Sequence, residues 1–495
     1  MFKRNFLKAF VMSLTITCAL LFTACKNDVP KDTKENIAQT PTESGISAES
    51  APSDSEDSET DAESESDEES DEGSSNASSG KSDAEADEDT DSPIDDREET
   101  TAAANDYSDE VDALKWNYSG SAPFAAGHLT ECPNYALPAN ATEDQVRAMA
   151  IRAMNDELTF KWVPLQSFKF TKAAGASRDL TYNYGQTYGG LPYNNVARSL
   201  FHALEMYDYE TGCMPGLDYS NQNMRFGNTC ANSVIWGLAA IDPNMTASST
   251  HTVCPGGGFE FVGNIKGYEK LKKFDDSVTT PGIIAEIGDA ETYECYAVAK
   301  PADALLKHVT SAASGNHCMM VVNVNTVRNA DGTINPDAST LAIQDQWSKL
   351  YADGGVSYCG RHKTFTFREM KEDGYIPLRA RALTNFSGHE VARVTVTQGA
   401  KTFAEMGAVT FTCNYRAVVF SASLISESGT TVYYHSMENT KYSGSHSMAS
   451  VVPSANALTE VMRKDRNYTF VLRVRLADGE LFDVASIPLT LKDLE

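Results

Sequence analysis

The stretch GNTCANSVIWGL, Gly227 to Leu238, sets one cysteine in a small polar turn and follows it with an apolar run of helical character. The first amides of a helix lack internal acceptors and carry the positive end of its dipole, so a thiol seated there ionises more readily. A thiolate is the nucleophile that cleavage of a peptide or amide bond requires. Without a base, Cys230 would be one more packed thiol.

The chain holds nine histidines, most in loops or charged surroundings; His362 is one of these and reads as a solvated surface group. His317 differs. It ends the approach AKPADALLKHVTSAASGN and precedes CMMVVNVNTV, so it stands at the mouth of a strand apolar enough to be buried. Asp331 and Gly332 mark a turn that returns the chain into a second strand, TLAIQDQW. Alternation places Leu341, Ile343 and Asp345 on one face of it and Ala342, Gln344 and Gln346 on the other. A polar side chain there would orient the ring of His317 and fix its tautomer. The order is Cys230, His317, then Asp345 or a neighbouring glutamine.

Other elements must hold these groups together. NATEDQVRAMAIRAMNDEL predicts a helix with Thr142 and Gln145 as a capping box and Val146, Met149, Ile151, Ala153 and Met154 as apolar positions. FKWVPLQSFKF reads as extended, and YNYGQTYGGLPYNN as a Gly- and Tyr-rich loop. NVARSLFHALEMY places Val196, Leu200, Leu204 and Met206 near a helical period. The helix opening at Cys230 carries Val234, Ile235, Leu238 and Ala239 and belongs at the centre of the core.

Taken in order, YGGLPY (Tyr188 to Tyr193), GNTCANSVIWG, KPADALL, GNHCMMVV, IQDQ and KTFTFREMKEDGYIPL resemble the NlpC-type, papain-like cell-wall cysteine peptidases over roughly Ala141 to Leu378. The resemblance implies an α+β domain in which a nucleophile helix packs on an antiparallel sheet. It implies Cys230 as nucleophile and His317 as base. The third polar residue falls within Gln344 to Gln346, where Asp345 is favoured for sharing a face with core residues. Tyr193, after Pro192, matches a substrate-side tyrosine whose hydroxyl would help the Cys230 amide hold an oxyanion. The family's usual Asp-Cys-Ser-Gly is replaced by Thr229, Cys230, Ala231 and Asn232. The Asp and Ser that recognise a free stem-peptide amine are therefore missing, while the nucleophile is kept.

The flanking regions bound the setting. In residues 1–25, Lys3, Arg4 and Lys8 precede an apolar run from Ala9 to Ala24, which reads as an export signal. Its end resembles the lipobox of bacterial lipoproteins, with Leu21 one place further from the cysteine than usual and Phe22 in the leucine position. That resemblance implies a lipid on Cys25 and attachment to the outer face of a bacterial membrane, with plain secretion as the alternative. Residues 26–112 hold 31 acidic and 5 basic residues, so nearly all of the net charge of −28 lies in this tract. Like charge and scarce apolar groups predict a disordered acidic tether. No basic stripe suggests nucleic acid. The remaining cysteines, Cys132, Cys213, Cys254, Cys295, Cys318, Cys359 and Cys413, form no CxxC pair, which disfavours zinc. The chemistry needs neither metal nor cofactor.

Residues 113–378 therefore read as the cysteine peptidase domain. After Leu378, VARVTVTQ, GAVTFTCNYRAVVFSASLIS, TTVYYHSME and YTFVLRVRLADGELFDVASIPLTL predict an immunoglobulin-like β-sandwich over 379–495. Three functions fit: a cysteine peptidase or amidase acting on peptide or amide bonds, foremost those of peptidoglycan; a transglutaminase-like acyltransferase sharing the Cys, His, Asp order; and a non-catalytic surface-binding lipoprotein.

Overall fold

Thr142 and Gln145 form the expected reciprocal cap, and α1 (Glu143–Thr159) runs from it with Val146, Ala150, Ala153, Met154 and Leu158 turned inward. Helix α1 lies against the helix that begins at Cys230, where Gly237 permits close approach: a Cβ there would sit 2.8 Å from Cβ of Met154. The computed structural model describes residues 108–115, 123–170, 179–195, 198–214, 226–312, 315–385, 390–439 and 444–494. The leader with Cys25, and the acidic tract up to residue 107, lie outside the described residues.

Both helices cover a nine-stranded sheet of order β5-β1-β4-β10-β9-β8-β7-β11-β6. Its members are β1 (Lys161–Pro164), β4 (Tyr188–Gly189), β5 (Cys213–Met214), β6 (Phe259–Phe261), β7 (Ala304–Lys307), β8 (His317–Asn325), β9 (Thr340–Asp353), β10 (Val356–Thr366) and β11 (Ile376–Ala380). A separate pair, β2 (Phe168–Phe170) and β3 (Leu180–Tyr182), stands beside it. The strands from β6 to β10 are antiparallel, as expected. The sheet as a whole is mixed, because β4 runs parallel to β10 and β5 parallel to β1. These two-residue strands arise where loops join the sheet for two residues, β5 at its edge and β4 between β1 and β10. Gly189 lets one of them do so, since a Cβ there would fall 2.0 Å from the ring of Tyr358.

The segment around Leu200 forms only a short helix, α2 (Leu200–Leu204), capped by Ser199; Val196 lies outside the described residues. Helix α3 (Cys230–Ala239) is buried along its whole length. A buried ionic knot fixes α1 to the sheet: Asp303 accepts from Arg147, from both Nε and Nη2 of Arg379, and from the Lys300 amide.

The segment after β11 contributes a three-stranded sheet, β12 (Val394–Gln398), β13 (Thr410–Cys413) and β16 (Ser445–Ser447), and a four-stranded sheet of β14 (Ala417–Ser426), β15 (Thr431–Glu438), β17 (Asn467–Leu476) and β18 (Leu481–Thr490). Phe411, Phe420, Leu424, Phe470 and Leu472 from both sheets, with Met448 just after β16, fill one apolar core. Strand β11 reaches Ala380, so the boundary expected at Leu378 falls inside the large sheet. Contacts across this boundary are close. The Tyr135 amide donates to the Asp478 carbonyl at 2.6 Å, the Ser199 amide to Glu438 at 3.1 Å, and the Arg416 guanidinium lies 3.8 Å above the Trp236 ring of α3. The acidic tract is not free at its end: Asp109 pairs with Arg463 and Arg466, Glu110 with Arg466, and the Ala113 amide bonds the Thr431 carbonyl.

Candidate active site

Cys230 is the first residue of α3. Thr229 caps the helix by accepting from the Asn232 amide, and its hydroxyl donates to Oδ1 of Asn232 at 2.8 Å. The amides of Cys230 and Ala231 have no acceptor within the helix. Below the helix start, Oε1 of Glu157 accepts from Asn228 at 2.9 Å and from the Ser233 hydroxyl at 2.5 Å, tying both flanks of Cys230 to α1. Burial pushes the Glu157 carboxyl up to about 7 against those two bonds.

His317 is the first residue of β8 and is buried, as is Asp345 on β9. Nε2 of His317 lies 2.6 Å from Oδ2 of Asp345. With Nε2 engaged by Asp345, Nδ1 is the ring nitrogen left to serve Cys230. Burial alone would push the Cys230 thiol up, but the His317 charge and hydrogen bond, the Cys318 amide and the Tyr193 hydroxyl outweigh it and hold the thiol below its ordinary value. Burial pulls His317 down, and the Cys230 thiolate and Asp345 reverse that, so the imidazole is raised. Both displacements favour a thiolate–imidazolium pair. Tyr193, held beside Asn228 by a parallel bridge, donates its hydroxyl to Sγ of Cys230 at 3.7 Å.

Strand parity separates the three candidates for the third position. Gln344 and Gln346 point to the helix layer, where Nε2 of Gln344 bonds the Ile151 carbonyl and Nε2 of Gln346 the Leu191 carbonyl. They fasten α1 and the Tyr188–Tyr193 segment to the sheet and do not meet His317. The structure therefore brings together Cys230, His317, Asp345 and Tyr193.

Sequence reasoning missed three neighbours. Arg361 on β10 stands opposite Asp345 and donates from Nε to Oδ1 at 2.7 Å and from Nη2 to Oδ2 at 2.9 Å. Trp347 meets the His317 ring edge-on at 5.6 Å, and Tyr375 does so at 6.3 Å. Trp347 was within reach of the alternation argument, being two residues beyond Asp345. Arg361 carried no local signal. Among the described residues all eight cysteines are free, and no group of three or more His, Cys, Asp or Glu is placed to hold a metal ion. No helix among them is long and apolar enough to cross a membrane.

No family model matches this chain, and no curated protein matches it by sequence.

Proposed function

We propose that this chain is a cysteine peptidase or amidase with an NlpC-like, papain-type catalytic layout, exported and anchored through a lipid on Cys25, and acting on peptide or amide bonds of peptidoglycan. The observation that carries the catalytic part is the array of Cys230 at a helix start, His317 against it, and Asp345 2.6 Å from Nε2 of His317. The export and wall-substrate parts rest on the leader and on the sequence resemblance.

In this reading the Cys230 thiolate attacks the carbonyl carbon, and the carbonyl electron pair moves to oxygen. The Cys230 amide and the Tyr193 hydroxyl receive that oxyanion. As the C–N bond breaks, the His317 imidazolium gives its proton to the departing nitrogen. The neutral ring then takes a proton from water, whose oxygen attacks the thioester, and the acid leaves as Cys230 recovers its charge with the imidazolium. Asp345 holds the ring in one orientation throughout.

Purified wall material digested with the wild-type protein and with Cys230→Ala, compared by mass spectrometry, tests substrate and nucleophile together. New amine and carboxylate termini should appear with the wild type alone; identical digests would overturn the reading. An added amine trapped in the product would point instead to acyl transfer.

A further inference from the structure

We infer that Arg361 is a positioning residue of the Cys230–His317–Asp345 array, fixing both oxygens of Asp345 and supplying a compensating positive charge beside the thiolate–imidazolium pair. This inference rests on the catalytic reading above.

Arg361 and Asp345 are directly paired across β10 and β9, so their side chains rise from the same face. Oδ1 is held by Nε of Arg361, and Oδ2 is shared between Nη2 of Arg361 and Nε2 of His317. With both oxygens taken, the carboxylate plane is fixed, and the remaining direction of Oδ2 defines where the imidazole must lie. The guanidinium is itself immobilised, stacked 3.8 Å over Trp347, whose edge faces His317. Asp345, His317, Trp347 and Arg361 therefore close a ring in which each member touches the next. A lysine could supply the charge but not the two-pronged grip.

The charge matters as much as the grip. Asp345 is fully buried, and a buried carboxylate paired only with His317 would bind its imidazolium proton more tightly and repel the thiolate. The surrounding titratable groups do not replace Arg361. Burial keeps Tyr193 from the Tyr188–Tyr193 segment, Cys318 of β8 and Tyr375 ahead of β11 protonated and neutral, and the exposed Tyr351 of β9 is also raised. His362 on β10 is exposed, and what desolvation it has lowers its imidazole and so favours the neutral ring. Lys307 of β7 directs its ammonium over the Tyr375 ring at 5.8 Å, and the exposed Asp373 acts on the Tyr375 phenol. Neither has a hydrogen bond or ion pair with Asp345.

Iodoacetamide alkylation of Cys230 in the full chain, followed by mass spectrometry between about pH 4 and pH 9, reads thiolate formation without a substrate. Arg361→Gln should move the rise in alkylation to higher pH and slow it about three- to tenfold near pH 6. Arg361→Lys should stay within about twofold of wild type in this readout, because the charge remains. Trp347→Leu, which unseats the guanidinium while keeping it, should move the rise in the same direction by less, and it decides the matter should Arg361→Gln fail to fold. A rise unmoved in the folded variants makes Arg361 a purely structural partner and overturns the inference, leaving the catalytic reading intact. A wild-type Cys230 that alkylates no faster than Cys413 overturns the catalytic reading itself, and this inference with it.

Discussion

Nε2 of His317 and Oδ2 of Asp345 stand 2.6 Å apart, and this contact decides which ring nitrogen remains for Cys230. Asp345→Asn keeps the shape but offers His317 either an amide donor or a weaker neutral oxygen, so the tautomer is no longer enforced. Turnover should fall by about 10²- to 10⁴-fold, the range seen when an orienting carboxylate is lost. Release of wall fragments by the variant, with circular dichroism as a check on folding, measures this; turnover within a few-fold of wild type would remove Asp345 from the array.

Cys230→Ala and His317→Ala should each abolish turnover and leave a folded chain. Cys230 is a small side chain at a helix terminus, so its loss should cost about 1 kcal/mol. His317→Ala leaves Asp345 still gripped by Arg361, so no carboxylate is stranded. Thermal melts alongside the activity assay separate lost chemistry from lost fold, and surviving activity in either variant would sink the mechanism.

The nucleophile should be active over a window set by its two partners. Cys230 is held below its ordinary value and His317 is raised to about 9, so the ion pair persists from below the ordinary thiol range up to that point. For His317 the folded value lies above the unfolded one, so its stabilisation is complete below the ordinary imidazole range and is lost as pH rises through about 9. A pH–rate profile for turnover should therefore fall on its alkaline side near that value. A profile with no alkaline fall would contradict the pairing.

Buried carboxylates away from the reacting atoms should make the fold more stable in mild acid. Burial raises Glu157 and Glu205 to about 7 and Glu438 to about 8, the last despite Arg198, the Ser199 amide and Arg416. Acids raised in the folded state contribute stability that is full below their unfolded values and is lost as pH climbs through 7 to 8. A tenfold change in the acidity of one such group is worth about 1.4 kcal/mol, so denaturant midpoints should drop between about pH 5 and pH 8. Glu438→Gln should flatten that slope; an unchanged slope would mean that Glu438 does not titrate in this range.

Ala302 adopts φ of 69°, a left-handed conformation that its Cβ disfavours. It is fully buried, and its amide bonds the Val321 carbonyl, so the turn into β7 enforces the strain. Ala302→Gly should raise stability by about 0.5–1 kcal/mol, the relieved strain being partly offset by the freer unfolded chain. Chemical denaturation measures it, and a destabilised variant would refute it.

What the sequence disclosed was local. The Thr142 cap, the helix beginning at Cys230 and the strand beginning at His317 each follow from residues within a few positions, and alternation along TLAIQDQW isolates Asp345 from its glutamine neighbours. What it hid depends on register. Arg361 meets Asp345 only because the β9–β10 ladder shifts between Tyr358 and Gly360, and no pattern in GRHKT announces that shift. The parallel pairings of the large sheet rest on the two-residue strands β4 and β5, too short for any periodicity to mark. Glu157 gave no warning because an acidic residue late in an amphipathic helix ordinarily faces water.

The clasp of Asp109 and Glu110 by Arg463 and Arg466 sets where a pull on the proposed N-terminal anchor would enter the molecule. A tug arriving from the N-terminal side is borne first by ion pairs on the loop ahead of β17 and by the bond from Ala113 to Thr431. Both anchor points belong to the four-stranded sheet and its approach. Were the chain held from that side, as proposed, the C-terminal sheets would take up the pull through these contacts before it reached the helix that seats the sulfur.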